Sequence, residues 1–296
     1  MLGEFTDEKA RERYFAAYET VLRKWPVPAE ELDVDTRFGT TRVRRSGTGP
    51  GTPVVLLSGI FGTSLSWYPH IADLAARHPV YAVDTIGEPG RSTQTHPVQT
   101  PDACADWLAD VLAGLGHEEV HLAGVSRGGW FALNLAARSS NGLAGVTAFE
   151  PAGFSVLGKR FMLWGLAELL RSLAPQAVLR LTTPGDPAVR RTLRPLLSRG
   201  LKYRMHLPPQ HVFTDDELRS IAVPTRVVLG ERSVVHRSRE VLARLGAVNP
   251  RIRVEIVPGT THSLSLEEPG LVTARILDAA RDHHTAIGEP GGDAGL

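Results

Sequence analysis

Cysteine is nearly missing. Cys104 is the single one in 296 residues, which excludes an internal disulfide framework and any motif built on paired cysteines. It stands beside Trp107 and Leu108 in a helix-like stretch, where a buried, inert thiol is expected. Excess charge is missing too: Lys plus Arg is 33 against 32 for Asp plus Glu, a net charge of +1. No overall field gathers nucleic acid, so a nucleic-acid partner is not expected. No run approaches the roughly 20 apolar residues of a membrane span, and the opening MLGEFTDEKARERYF is charged where a signal peptide is apolar. The expectation is a cytoplasmic protein without a membrane partner. H-E-x-x-H, a Walker loop and a G-x-G-x-x-G opening a helix are absent as well, so neither a metal nor a nucleotide cofactor is implied.

What remains is an ordinary globular composition, 42% hydrophobic and 22% charged, which excludes disorder, collagen and coiled coil as the main state. Residues 4–24 carry Phe5, Tyr14, Ala17, Tyr18, Val21 and Leu22 at helical spacing, ended by Pro26 and Pro28. Val34, Thr36, Phe38, Thr40, Thr41 and Val43 favour a hairpin over 33–45, with Gly39 in its turn. An alternation follows: VVLLSG (54–59), a helix near 64–77, VYAVD (80–84), a helix near 101–115, VHLAGVS (120–126), a helix over 127–138 and GVTAFE (145–150). Apolar runs separated by helices are the pattern of βαβ units, and they predict an α/β protein with a doubly wound, mostly parallel sheet. The pattern resumes with TRVVLG (225–230), a helix near 237–246, RVEIVPG (253–259) and a last helix near 267–282.

Between Ala152 and Ile221 no strand-like run appears, while Phe161, Leu163, Trp164, Leu166, Leu169 and Leu170 recur helically. The division expected is a core of residues 1–151 and 222–284, an inserted helical lid over 152–221, and a disordered Gly-rich tail over 285–296. The lid carries eleven basic residues against five acidic ones. That excess fits either solvated helix faces or contact with an anionic substrate or acidic carrier protein.

Gly124-Val125-Ser126-Arg127-Gly128 is G-x-S-x-G at the junction of a predicted strand and a predicted helix. A serine on so sharp a turn has its Oγ lifted clear of the sheet, and the helix start aims free N–H groups at any anion formed there. Serine needs a base, and histidine is the usual one. Of eleven histidines, His262 follows the last predicted strand and shares the carboxyl edge of the sheet with Ser126. His70, His78, His96, His117 and His121 are expected to be structural, and His283 and His284 fall near the tail.

The chain resembles the α/β-hydrolase superfamily, its carboxylesterase-like serine hydrolase branch in particular, through LLSGIFGTSLSW (56–67), DTIGEPGRS (84–92), GVSRGGW (124–130) and PGTTHSLSLEEP (258–269). The resemblance implies an oxyanion hole from the backbone N–H groups of Ile60 and Arg127, although Ser58-Gly59 stands where members usually have His-Gly. It also implies an aspartate after the seventh strand of the fold, where Gly230-Glu231-Arg232-Ser233 places serine. Some members take the acid from the end of the sixth strand instead, which makes Glu150, before Pro151-Ala152-Gly153, the first candidate and Glu231 the second. Asp84 matches a loop that shapes the site.

The activity implied is cleavage of a small-molecule carboxylic ester or thioester through an acyl-enzyme on Ser126, with no cofactor. Phe61, Phe154, Phe161 and Trp164 are the candidate substrate-binding residues, in an apolar wall extended by Leu157, Met162 and Leu166. A basic lid would suit a carrier-protein or coenzyme A thioester. Two alternatives stay open on this fold: a biosynthetic acyl transferase, cyclase or lyase, and a non-catalytic small-molecule binder. The sequence carries no signal for oligomeric state.

Overall fold

A computed structural model of the chain describes residues 1–156, 158–173 and 185–287. Strands β4 (Val54–Leu57), β5 (Val80–Val83), β7 (Val120–Val125), β8 (Leu143–Phe149), β10 (Thr225–Gly230) and β11 (Ile252–Val257) run parallel. The hairpin of β2 (Glu30–Thr36) and β3 (Gly39–Ser46) extends this array through antiparallel pairing of β3 with β5, and β3 also pairs the two-residue β6 (Thr93–Gln94). The result is one nine-stranded sheet in the order β11-β10-β8-β7-β4-β5-β3-β2. β4, β5 and β8 are buried along their whole length, as strands covered on both faces must be, which is why they read as unbroken apolar runs.

Each face has its own core. Trp107, Leu108, Leu122, Phe131 and Leu133 pack on one side, and Trp67, Ile71, Phe149, Val228 and Ile276 on the other. A third cluster joins Tyr14, Tyr18 and Val21 of the first helix, Glu8–Leu22, to Val189, Leu193 and Leu196 of helix Pro187–Gly200. Local signals fix the helix ends. Asp7 accepts from the Ala10 N–H, and Pro101–Leu115 starts on a Thr100 cap and stops at Gly116, whose φ of 71° is costly for other residues.

Several expectations need correction. The single helix near 64–77 is instead a 3₁₀ turn, Ser64–Trp67, and a short helix, Ile71–Ala75, divided around Pro69, which has no N–H to give. The region without strands contains β9 (Tyr203–Arg204), which pairs with β1 (Glu4–Phe5). The last helix runs Pro269–Ile287, so His283, His284 and residues 285–287 are helical, and the remainder of the expected tail, 288–296, lies outside the described residues. Between β8 and β10 the described chain forms helices Lys159–Leu173, Pro187–Gly200 and Asp215–Ser220. Among the described residues no helix is long and apolar enough to cross a membrane.

Parallel strands bring their carboxyl ends to one edge. The segments after β4, β5, β7, β8, β10 and β11 therefore converge there, and with them every residue singled out above for chemistry in the core.

Candidate active site

Ser126 sits between β7 and helix Arg127–Ala136 with φ 53° and ψ −111°. The two glycines of the motif let this turn close: a Cβ on Gly124 would lie 2.3 Å from the Gly128 carbonyl oxygen, and one on Gly128 2.2 Å from that of Leu57. Ser126 Oγ lies 3.1 Å from His262 Nε2, and His262 Nδ1 lies 3.0 Å from Glu150 Oε2. His262 is 8% exposed and Glu150 1%. A carboxylate fixes the proton on Nδ1, which leaves Nε2 as acceptor for the serine hydroxyl.

Glu150 is held from several directions. Its Oε1 accepts the Gly230 N–H, and its Oε2 accepts the Ser233 hydroxyl at 2.6 Å as well as His262. Ser233, standing where the resemblance implies an aspartate, thus contacts the carboxylate that meets the histidine. Glu231 points elsewhere: exposed, it accepts the Gly259 N–H at 2.9 Å. Phe61 (φ 59°), Ser126 (φ 53°) and Glu150 (φ 48°) are the non-glycine residues with positive φ among those described, and all three lie here.

The loop after β4 comes close to the serine. A Cβ on Gly59 would stand 3.4 Å from Ser126 Cβ, and Ser58 donates its hydroxyl to the Thr63 carbonyl at 2.6 Å, closing the turn. Phe61 N–H donates to Glu88 Oε2 at 2.8 Å, and Glu88 Oε1 pairs with the Arg127 guanidinium at 3.0 Å. Burial pushes the Glu88 carboxyl up, and Arg127 opposes that shift. Ile60 N–H and Arg127 N–H donate to no acceptor among the described residues. Asp84, fully buried, accepts from Tyr18 OH, Ser64 N–H and Arg91 N–H, the scaffolding expected of it.

The aromatic candidates divide. Trp164 and Phe161 stand edge-on to the His262 ring, at 5.3 and 6.1 Å between centroids. Phe154 is buried against Phe213 and His236 instead, while Phe61 is half-buried beside Gly200. Met162 is 71% and Leu166 53% exposed, so neither extends the wall assigned to them. They occupy the outward face of the helix whose inward face carries Phe161 and Trp164. Leu157 lies outside the described residues.

Sequence reasoning missed Glu88, Ser233 as a donor, and His236, whose ring Nε2 is 3.8 Å from Glu150 Oε1. Glu88 had a usable signal, since it belongs to the same DTIGEPGRS segment that drew attention to Asp84.

Residues 54–276 match the model of the alpha/beta hydrolase family. The chain belongs to that family. The chain is similar to carboxylesterase YbfK of Bacillus subtilis (strain 168), 32% identical over 277 residues that span 90% of this chain and 92% of the relative. Carboxylesterase nap of the same organism is 31% identical over 274 residues, 90% of this chain and 91% of that one. The solved structure of carboxylesterase CesB (YbfK) from B. subtilis superposes with a TM-score of 0.80 at 30% identity, covering 91% of this chain and 98% of the other. The superposition on YbfK spans nine-tenths of this chain and so extends beyond the sheet.

Proposed function

We propose that Ser126, His262 and Glu150 hydrolyse a carboxylic ester through an acyl-enzyme. The chain is an ester hydrolase by its kinship with carboxylesterases over nine-tenths of its length. The observation that carries the residue assignment is the run of contacts from Ser126 Oγ through His262 to Glu150. In this mechanism His262 Nε2 takes the serine proton as Oγ bonds the ester carbonyl carbon, and Glu150 stabilises the imidazolium that forms. The tetrahedral oxyanion takes hydrogen bonds from the N–H groups of Ile60 and Arg127, both uncommitted among the described residues. The imidazolium then returns its proton to the departing alkoxide. Water, deprotonated by the same nitrogen, releases the acid and restores the serine.

Residues 152–221 are read as a cap on a core of 1–151 and 222–284. Phe161 and Trp164, against His262, supply the apolar wall for a small-molecule ester, with Phe61 on the opposite loop. The basic excess of the cap favours a second substrate, a thioester on coenzyme A or a carrier protein. Part of that excess is already engaged, Arg204 with Glu4 and Arg219 with Asp216. A higher kcat/KM for an acyl thioester than for the matching 4-nitrophenyl ester would carry that reading.

The deciding test is a fluorophosphonate probe with mass-spectrometric location of the adduct. Rapid labelling of Ser126, slowed in His262→Ala and Glu150→Gln, is expected. An unlabelled Ser126 in folded protein would overturn the assignment and favour a ligand-binding role.

A further inference from the structure

Glu88 is a buried carboxylate that the proposed reaction does not use, and its two oxygens serve two different segments. Oε2 accepts the Phe61 N–H at 2.8 Å, and Oε1 faces the Arg127 guanidinium at 3.0 Å. Phe61 directly follows Ile60, and Arg127 bears the other proposed oxyanion donor on its own backbone. The turn that presents the Ile60 N–H is tied on both sides of that residue. Before it, the Gly59 carbonyl accepts the Gly62 N–H at 2.8 Å; after it, Phe61, at φ 59°, is held by Glu88. The Ile60 side chain itself is 38% exposed, so the direction of its N–H depends on these backbone ties more than on packing. Glu88 has a firm base. It belongs to the segment after β5, where the Arg91 N–H donates to Asp84 Oδ2 at 2.8 Å and the Tyr14 hydroxyl to the Pro89 carbonyl at 3.0 Å.

We propose that Glu88 is a positioning residue of the oxyanion hole: by joining the loop of Ile60 to the helix start at Arg127, its one carboxylate sets the spacing of the two donors. The inference rests on the ester-hydrolase reading and on the hole assigned to these two N–H groups. Hydrogen bonds to a charged acceptor are stronger than those to a neutral one, which suits a carboxylate to holding a residue in left-handed backbone. Arg127 N–H is also fixed by its own helix, so the Ile60 N–H is the donor that shifts when Glu88 is lost. The oxyanion exists only in the tetrahedral state, and a misplaced donor therefore weakens that state and not substrate binding.

The test uses two double variants in which neither partner's charge is stranded. Glu88→Leu/Arg127→Met leaves the Phe61 N–H without its acceptor, whereas Glu88→Gln/Arg127→Met keeps an amide oxygen for it. For the Leu variant, kcat/KM on 4-nitrophenyl acetate should fall by at least about tenfold, short of the 10²–10³ that removing a donor costs. The Ki of phenylboronic acid, which bonds Ser126 Oγ as a tetrahedral boronate with an oxygen in the hole, should rise by the same factor. The Gln variant should recover at least about threefold of both losses, the worth of one neutral hydrogen bond. Because it should still show matched, smaller losses against the parent, the outcome does not depend on the Leu variant folding. A Leu variant that keeps both parental values overturns the proposal, as do equal values for Gln and Leu. So does a fall in kcat/KM with Ki unchanged, the mark of a smaller folded fraction, since unfolded protein lowers the rate without altering the affinity of the rest. A parent that hydrolyses no ester ends the ester-hydrolase reading and this role with it; an active parent with unaffected variants ends this role alone.

Discussion

The Ser233 hydroxyl donates to Glu150 Oε2 across 2.6 Å, and the same oxygen faces His262 Nδ1 at 3.0 Å. The position where the family resemblance implies an aspartate is therefore two hydrogen bonds away from His262, through Glu150. It supports a carboxylate that arrives from a neighbouring strand.

Glu150 and Glu231 are separated by one pair of substitutions. Glu150→Gln removes the charge that stabilises the imidazolium and is expected to cut kcat by at least about tenfold, since loss of a triad acid costs up to about 10⁴. Glu231→Gln touches only an exposed bond to Gly259 and should leave kcat within about twofold. Steady-state kinetics on a 4-nitrophenyl ester checks both, and the reverse ranking would sink the assignment of Glu150.

Moving the acid back to the loop is a stricter test. Ser233→Asp alone places two buried carboxylates in contact, where both cannot ionise, so activity should fall. In a Glu150→Gln background the same change offers His262 a replacement, and about tenfold recovery over the single variant is expected. Lack of recovery in a folded double variant would show that an acid at position 233 cannot reach the base.

Glu88 and Arg127 form a buried ion pair beside the loop after β4. Breaking such a pair from one side strands a charge and costs about 3–5 kcal/mol, whereas replacing both partners with apolar groups costs far less. Urea unfolding of Glu88→Leu, Arg127→Met and the double variant should show the double variant more stable than either single one. Additive losses would contradict a coupled pair.

Acid sensitivity of the fold should trace in part to His70. Burial pulls its value down to about 4 from 6.5, and its Nδ1 lies 2.9 Å from Thr273 Oγ1. The folded chain keeps this ring neutral where the unfolded chain protonates it. Its contribution is therefore complete above about pH 6.5 and is lost as pH falls towards 4, up to about 3 kcal/mol in all. Thermal melts from pH 7 to 4 should show that decline, flattened in His70→Gln; an unchanged slope in the variant would assign it to other groups.

The strands of the core and the turn at Ser126 were legible because each depends on local signals, and His262 from its place after the last strand. Apolar runs mark doubly covered strands, and G-x-S-x-G marks a turn whose glycines are packed against Leu57 and each other. Glu150 was legible only as a choice between two carboxylates, because the geometry that separates it from Glu231 is made by pairing of β8 with β10. His236 and Ser233 carry no local mark at all, and their place beside Glu150 arises from tertiary packing. Pro69 did carry one, and a stricter weight on its missing N–H divides the 64–77 segment correctly. The outward turn of Met162 and Leu166 was lost because apolar residues were counted without assigning them to a helix face.

Phe61, Ser126 and Glu150 keep left-handed backbone while bearing side chains, each at a cost on the order of 1–3 kcal/mol. A directed-evolution campaign that selects only for heat resistance should be drawn to these three sites, where glycine relaxes the chain. Its survivors would then be tougher proteins that lack the proposed nucleophile or acid, or whose loop at Phe61 is slack. Screening for turnover alongside heat resistance is the way to keep such libraries from trading one for the other.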